Sequence, residues 1–249
     1  MVVHRTVFKG VILKRALIGS KLEVDQDRGH AFNLDTVLLA DFVKLPYRIK
    51  HVIEVGTGNG AIALYLSEKT KAKITAIEIQ ASRYEKAVKN IKLNHLDNQI
   101  DVIHQDYLET KYLHVDAIVC NPPFFKVNET SLLNEDDSIT IARHEIKLDL
   151  ESLIKKVSEQ LKFGGKFFMI HRPDRLSDIF EYTKTYQLEI KRLRFVHPYI
   201  DKTANHILIE CVKQGGKELI LEPPLILYQA PHVLTEQAKK ILGGNFDVT

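Results

Sequence analysis

The feature that most constrains the fold is an alternation, from His51 onward, of short apolar runs with segments of helical periodicity. Such alternation is typical of βα units, whose strands pair in a mostly parallel sheet with helices on both faces. The apolar runs predict strands at residues 51–55, 73–79, 100–104, 116–121 and 166–171. The segments between them predict helices at residues 61–67, 82–93 and 150–161, the last stopped by Gly164-Gly165. We therefore expect a doubly wound α/β sheet.

The pattern changes after residue 171. Pro173 predicts the start of a helix that ends near Tyr186. Two β-rich segments follow at 188–195 and 206–212, and a polar loop rather than a helix joins them. They are predicted to pair as an antiparallel hairpin at one edge of the sheet, which brings the total to seven strands.

The first 50 residues follow a different pattern. Short β-rich runs at 7–13 and 22–24 predict a small hairpin, and Asp35 opens an apolar helix that stops near Pro46. We expect a small N-terminal cap at 1–45 and the main domain with its C-terminal β extension at 46–249. The absence of linker composition predicts that both form one structural unit.

Composition excludes several classes of protein. Hydrophobic residues make up 45% of the 249 and charged residues 27%, as in ordinary globular domains. The longest uncharged runs, 55–67 and 223–235, are shorter than the 18 or so residues of a membrane span. The N-terminus has no signal-peptide pattern, so a cytoplasmic protein is expected. Cys120 and Cys211 lie in apolar runs and are expected to be buried free thiols.

Charge is distributed unevenly along the chain. Residues 101–150 carry 4 basic and 10 acidic side chains, whereas 1–50 carry 9 and 5, and 151–200 carry 10 and 6. This asymmetry is compatible with a polyanionic ligand, although scattered solvated Lys and Arg produce it as well. No histidine lies at metal-ligand spacing from a Cys, Glu or second His, so no metal site is predicted.

A glycine-rich segment follows the first strand of the main domain. It reads Glu54-Val-Gly56-Thr-Gly58-Asn-Gly60, at the point where the strand gives way to a helix. Glycines there allow tight turning and close approach of a small ligand, and 56–61 also satisfies a loose dinucleotide-binding pattern. A plain tight turn is the alternative.

Two acidic residues follow the next two strands. Glu78 ends the second strand, where a carboxylate can accept hydrogen bonds from both hydroxyls of a ribose. Asp106 follows the third strand and is suited to accept a hydrogen bond from an adenine amine, or to serve as an ordinary turn residue.

The most informative segment is Asn121-Pro122-Pro123-Phe124, directly after the fourth strand. Two consecutive prolines fix two φ angles and remove two N–H donors, which leaves a stiff loop with carbonyls free to accept. Asn121 adds a side-chain acceptor and Phe124 a flat apolar face. A strand-ending turn with core aromatics does not explain why Asn and two prolines occur together there.

The order of these motifs resembles that of the class I S-adenosylmethionine-dependent amino-methyltransferases. Within that class the chain most resembles the bacterial tRNA1(Val) (adenine-N6)-methyltransferases, which modify the adenine 3′ of the anticodon. The resemblance extends to Asn33-Leu-Asp35-Thr in the cap, Ala142-Arg143-His after the N-P-P loop and the terminal hairpins. It implies a Rossmann-like class I methyltransferase fold, S-adenosyl-L-methionine as cofactor and RNA, specifically tRNA, as partner.

The resemblance also implies a role for each motif residue. Gly56, Gly58 and Gly60 would pass under the methionyl part of the cofactor. Glu54 would hold its amino group, Glu78 the ribose and Asp106 the adenine, and Asp35 would contact it from the cap. Asn121 would border both the cofactor and the target base, and Pro122, Pro123 and Phe124 would complete the catalytic loop.

These residue types suit methyl transfer to an exocyclic amine, whose lone pair is delocalised into the ring. Asn121 Oδ1 and the Pro122 carbonyl can accept hydrogen bonds from its two N–H groups and direct the nitrogen lone pair at the methyl group. The reaction therefore needs alignment more than a strong base. Phe124 can stack on the base. An adenine that is already unpaired costs less to extrude than one in a duplex, which favours loop RNA as substrate.

RNA affinity is expected to come mainly from phosphate contacts. The candidate side chains are Arg143, Arg172, Arg175, Lys191, Arg192, Arg194 and Lys202. His197 and Tyr199 lie among them. The alternation within 191–194 fits an edge strand with a solvated face equally well. A monomer is expected.

Other functions remain open from the residues alone. An N-P-P-F motif also serves guanine-N2 methylation of ribosomal RNA, and a related motif serves glutamine methylation of proteins. A nicotinamide-dependent oxidoreductase would use the glycine loop but leaves 121–124 unexplained. A catalytically silent RNA-binding scaffold predicts damaged motifs, and all four motifs are intact here.

Overall fold

The computed structural model describes residues 14–25, 34–122 and 149–243. The strands are β1 (Lys14–Ala16), β2 (Glu23–Asp25), β3 (His51–Val55), β4 (Lys73–Glu78), β5 (Ile100–His104), β6 (Val115–Cys120), β7 (Leu161–His171), β8 (Leu188–His197), β9 (His206–Lys213), β10 (Ile220–Leu221), β11 (Leu225–Ile226), β12 (Tyr228–Ala230) and β13 (Val233–Leu234). The α-helices are α1 (Leu34–Phe42), α2 (Ala61–Lys69), α3 (Ala81–Leu93), α4 (Leu150–Gln160), α5 (Leu176–Thr185) and α6 (Glu236–Ile241). Short 3₁₀ turns occupy Tyr107–Glu109 and Pro173–Arg175.

One central sheet dominates the described structure. Its strand order is β10-β8-β9-β7-β6-β3-β4-β5, and β11 also pairs with β8. Strands β5, β4, β3, β6 and β7 are parallel, whereas β9 runs antiparallel to both β7 and β8. The predicted α/β fold and antiparallel hairpin are confirmed. The sheet has nine strands rather than seven because two-residue strands β10 and β11 pair with the outer side of β8, which is therefore not the edge that the sequence predicted.

Helices cover both faces of this sheet, as the alternation of strands and helices requires. One apolar cluster joins α1, α2 and α3 to the sheet and includes Leu38, Leu64 and Phe168. The cluster on the opposite face joins α4 and α5 to the sheet and includes Ile154 and Phe167. Neighbouring Phe167 and Phe168 point to opposite faces because side chains alternate along a strand. The result is a three-layer architecture.

The segment from 161 to 171 departs from the sequence prediction at its start. Helix α4 ends at Gln160, and β7 begins at Leu161 without a glycine stop. Gly165 instead lies within β7, where a Cβ would come within 3.0 Å of the Val115 carbonyl oxygen. The pairing of β6 with β7 shifts register between Val115 and Ala117, so the glycine serves a close strand approach rather than a helix end.

The N-terminal hairpin pairs Arg15 with Val24, and the run at 7–13 lies outside the described residues. The hairpin is attached to α3, because Asn94 Oδ1 and Asn90 Oδ1 accept hydrogen bonds from the Glu23 and Asp25 amides, both at 2.8 Å. The division at residue 45 stays a prediction. None of the helices in the described ranges is long and apolar enough to cross a membrane.

Candidate active site

The predicted cofactor-binding residues converge on the carboxyl edge of the sheet. Strands β4, β3 and β6 are neighbours, and Val55 pairs with both Ile77 and Cys120. Residues that follow the ends of parallel strands therefore meet at one edge, which is where open α/β sheets bind ligands. The structure thus brings the loop after β3, Glu78 at the end of β4 and Asn121 after β6 to the same place.

The glycine loop leaves open space along its backbone. Gly56 and Gly58 have φ of +69° and +60°, a region that L side chains rarely adopt. A Cβ added at either would meet no atom of the described structure within 4 Å. The Gly56 and Thr57 amides donate to the Ile77 carbonyl at 2.9 and 3.0 Å, which fixes the loop on β4. The loop is therefore a rigid cradle that a side chain would fill, and it fits a ligand lying close to the backbone.

Glu54 is a buried carboxyl group beneath this loop. Thr57 Oγ1 donates to its Oε2 at 2.6 Å, while its buried Oε1 has no hydrogen-bond partner among the described residues. Burial raises the pKa of Glu54 to about 8, against the lowering effects of the Thr57 hydrogen bond and of the Ala63 backbone amide. An unsatisfied buried acceptor costs on the order of 1–3 kcal/mol, so the geometry calls for a donor from a ligand. A cationic amine fits, because it restores the charged form of the carboxyl group.

Glu78 is also buried and has a second role that the sequence analysis missed. Its Oε2 accepts from the Gly58 amide at 2.8 Å and its Oε1 from the Gln80 amide at 2.9 Å. The carboxylate therefore joins the glycine loop to the start of α3. Each oxygen of a carboxylate has about two lone-pair sites, so both oxygens can still accept from ribose hydroxyls.

Asp106 caps the 3₁₀ turn that follows β5. Its Oδ1 accepts from the Leu108 amide at 2.9 Å. Asp106 therefore serves as a turn residue, which was one of its two predicted roles. Contact with an adenine amine stays a prediction for the remaining acceptor sites.

Asp35 lies at the start of α1 and is buried against the sheet edge. His206 Nε2 is 3.2 Å from Asp35 Oδ1. His206 begins β9, next to the end of β7, where Ile207 pairs with His171. This contact places the cap helix at the carboxyl edge, and no local sequence signal links two residues so far apart in the chain.

The catalytic loop is described only at its start. Asn121 is half-buried directly after Cys120, and Pro122 is buried. Pro123, Phe124 and Arg143 lie outside the described residues, and their roles stay predictions.

Arg192 is not available to an RNA phosphate, which corrects the sequence prediction. Its guanidinium donates to Glu210 Oε2 at 2.8 Å, Glu222 Oε1 at 2.9 Å and the Phe42 carbonyl at 2.6 Å. It also lies 3.7 Å from the centroid of the Phe42 ring. The side chain therefore joins the end of α1 to the sheet.

A bulge in β8 explains this inward orientation. Ile190 pairs with Cys211 and Arg192 pairs with Glu210, so Lys191 is an extra residue in the ladder. Ile190 and Leu193 consequently share one face of the sheet, and Arg192 is turned to the other face, beside Glu210. Strict alternation could not predict this shift.

The remaining basic candidates form two groups. Arg172, Arg175 and Lys202 follow the carboxyl ends of β7 and β8. Lys191 donates to the Gly216 carbonyl at 2.9 Å, and it lies about 20 Å before the end of β8 at the usual strand rise. Arg194 donates to the Pro223 carbonyl at 3.2 Å. Of these two groups, the one formed by Arg172, Arg175 and Lys202 lies on the same edge of the sheet as the candidate site.

The side chains able to bind a metal ion and the two cysteines were located within the described ranges. The described ranges contain no group of three His, Cys, Asp or Glu side chains that could hold a metal ion. Cys120 and Cys211 are buried free thiols, as predicted, and burial raises the pKa of both well above the usual value.

Sequence comparison places relatives along most of the chain. The methyltransferase small domain family matches residues 30–185. A tRNA1(Val) (adenine(37)-N6)-methyltransferase of Pedobacter heparinus is 31% identical over 239 residues, covering 94% of this chain and 99% of the relative. A protein of the same name from Porphyromonas gingivalis is 36% identical over 168 residues, and the match covers 65% of each chain, just under two thirds of the relative's length.

Solved structures share the fold. An Agrobacterium tumefaciens protein described as an O-methyltransferase superposes with a TM-score of 0.65 at 20% identity, covering 85% of this chain and 96% of its own. Geranyl diphosphate C-methyltransferase from Streptomyces coelicolor, solved with S-adenosyl-L-homocysteine, superposes with a TM-score of 0.53 at 13% identity, covering 72% of this chain and 78% of its own. The fold is therefore Rossmann-like and of the class I methyltransferase type.

Proposed function

We propose that this chain, which belongs to the methyltransferase small domain family and to the tRNA1(Val) (adenine-N6)-methyltransferases, methylates the N6 amine of an unpaired adenine in tRNA. The target is the adenine 3′ of the anticodon, the position that the relatives' names give as 37. The observation that carries the proposal is the convergence of the glycine loop, Glu78 and Asn121-Pro122 at one sheet edge. Action as a cytoplasmic monomer is part of the same proposal.

The residues present fit S-adenosylmethionine as the methyl donor. Glu54, with one unpartnered buried oxygen, would hold the ammonium group. Glu78 would hold the ribose hydroxyls, Asp106 the adenine, and Gly56 and Gly58 would let the cofactor lie against the backbone. Asp35 would border the cofactor from the cap. When bound, the cofactor supplies an electrophilic methyl group on a sulfonium.

The chain's own contribution to the transfer is alignment. Asn121 Oδ1 and the Pro122 carbonyl accept hydrogen bonds from the two N–H groups of the target amine and hold its lone pair toward the methyl group. Two consecutive prolines keep these acceptors in place because they fix the backbone. Holding two reactants in a near-attack geometry supplies much of the rate enhancement in reactions that need no strong base.

The proposal is tested by the product. Unmodified tRNA and ribosomal RNA are incubated with labelled S-adenosylmethionine and digested to nucleosides. We expect labelled N6-methyladenosine confined to tRNA. Labelled N2-methylguanosine in ribosomal RNA, or no label in either RNA, would contradict the assignment.

The role of Asn121 has its own test. Asn121→Ala should lower kcat by more than tenfold, since each 1.4 kcal/mol or so of lost alignment costs a factor of ten, with cofactor affinity nearly unchanged. Asn98→Ala, an exposed residue ahead of β5 at the opposite edge of the sheet, is the matched control and should retain full activity. Turnover of Asn121→Ala within tenfold of wild type would rule out the alignment mechanism.

A further inference from the structure

An aromatic pair lies on the same edge of the sheet as the candidate active site. Tyr199 follows the carboxyl end of β8, and Tyr228 starts β12. Their ring centroids are 5.6 Å apart and the planes are tilted by 36°. The Tyr228 amide donates to the Pro198 carbonyl at 2.9 Å, which holds the two segments side by side.

The loop that carries Tyr199 contains an exposed apolar residue and a cation paired with a carboxylate. Tyr228 packs against the apolar cluster that joins α1, α2 and α3 to the sheet, and this packing anchors it. Tyr199 belongs to neither apolar cluster. Ile200, the next residue, is 80% exposed. Lys202 Nζ lies 3.6 Å from Asp201 Oδ2, so its charge is locally balanced.

The two arginines that follow the carboxyl end of β7 are also paired with acidic side chains. Arg172 pairs with Asp174 at 3.3 Å, and Arg175 pairs with Asp178 at 2.7 Å. The three cations that follow β7 and β8 are thus each paired with a carboxylate, and both tyrosines are half-buried, so each keeps part of its surface accessible. Such a surface suits the face of a nucleobase better than a phosphate, because stacking needs a π-face and phosphate binding needs net positive charge.

The distance between the aromatic pair and Asn121 follows from the positions of their strands in the sheet. Strand β8 is the third strand from β6 in the sheet, so the two loops are about 14 Å apart at 4.8 Å per strand. About four stacking steps of 3.4 Å each, from one nucleotide to the next, span this distance. One single-stranded segment can therefore reach both places.

We infer that Tyr199 and Tyr228 form a stacking platform for an unpaired base of the RNA substrate, a few nucleotides from the target adenine. The inference rests on the proposed function, since it assumes that RNA is the substrate, and it adds a requirement for looped rather than duplex RNA. A duplex cannot present an unstacked base to the platform.

Binding of an unmodified tRNA transcript tests the platform. Tyr199→Ala should weaken tRNA affinity by about 5- to 150-fold, the range measured for loss of one base–aromatic stack. The salt slope should not change, because no phosphate contact is removed. Tyr199→Phe should bind like wild type, since it keeps the ring. Tyr47→Ala, a fully exposed aromatic before β3 at the opposite edge, is the matched control and should change nothing.

A second variant guards against a folding defect. Tyr228→Leu keeps apolar packing on the core and removes only the aromatic face, so it should fold and still lose tRNA affinity. If the wild-type protein methylates tRNA while Tyr199→Ala and Tyr228→Leu both bind it with wild-type affinity, the platform is refuted. If the wild-type protein binds S-adenosylmethionine but does not methylate tRNA, the proposed function fails instead.

Discussion

Replacing Glu54 by Gln should make the ligand-free protein more stable at neutral pH and less able to bind its cofactor. Glu54 is buried, and burial raises its pKa from 4.5 to about 8. Between these values the folded carboxyl keeps a proton that the unfolded chain releases. Folding is therefore favoured in acid, and the contribution is lost as the pH rises toward 8.

The size of the effect follows from the two pKa values. Between pH 5 and pH 7.5 the folded state holds more protons on this one group than the unfolded state does. The free energy of unfolding therefore falls by about 3 kcal/mol over that range. Glutamine has nearly the same shape and does not titrate, so Glu54→Gln lacks this contribution. The stability of the variant relative to wild type should increase by about 3 kcal/mol over the same pH range.

The assay is urea unfolding followed by circular dichroism at a series of pH values. Taking the difference between the variant and wild type cancels the titration of every other group. Glu68→Gln, which replaces an exposed glutamate on α2, is the matched control. A difference between Glu54→Gln and wild type that is independent of pH would refute the reasoning.

The same substitution should act in the opposite direction on binding. If Glu54 Oε1 holds the ammonium group of S-adenosylmethionine, the neutral amide loses a charged contact and the affinity falls. Calorimetry at pH 7.5 measures this. Such an opposition between stability and function is typical of a site that keeps a buried polar group unsatisfied until its ligand arrives.

Two further predictions concern Glu78 and Arg192. Glu78→Ala should weaken S-adenosylmethionine binding by about 1.5–3 kcal/mol, because the ribose loses a charged acceptor and the Gly58 amide its anchor; equal affinity in calorimetry would refute the ribose assignment. Arg192→Met should lower the free energy of unfolding by about 3 kcal/mol, because Lys166 is then the one ion-pair partner left to the buried Glu210 among the described residues; an unchanged urea midpoint would contradict this.

The architecture could be predicted from the sequence because its signals are local. Hydrophobic periodicity predicted the seven long strands of the sheet, and the glycines at 56, 58 and 60 predicted a tight turn that the structure contains. The acidic and N-P-P residues were identified by their positions after strands, which requires only that parallel strands end at a common edge.

The orientation of individual side chains depended on contacts between distant residues. Arg192 looked like a solvated strand residue, but the bulge at Lys191 turns it inward to Glu210, Glu222 and Phe42. The pairing of Asp35 with His206 has the same nonlocal origin.

The sequence by itself therefore determined which elements form and which strand ends carry chemistry, because periodicity and turn residues act within a few positions of the chain. Only the tertiary structure decided which acceptors already hold hydrogen bonds, as in Glu78, and which acceptor has no partner among the described residues, as in Glu54 Oε1. The physical reason is that burial and hydrogen-bond satisfaction are properties of the packed neighbours, and most of those neighbours come from elsewhere in the chain.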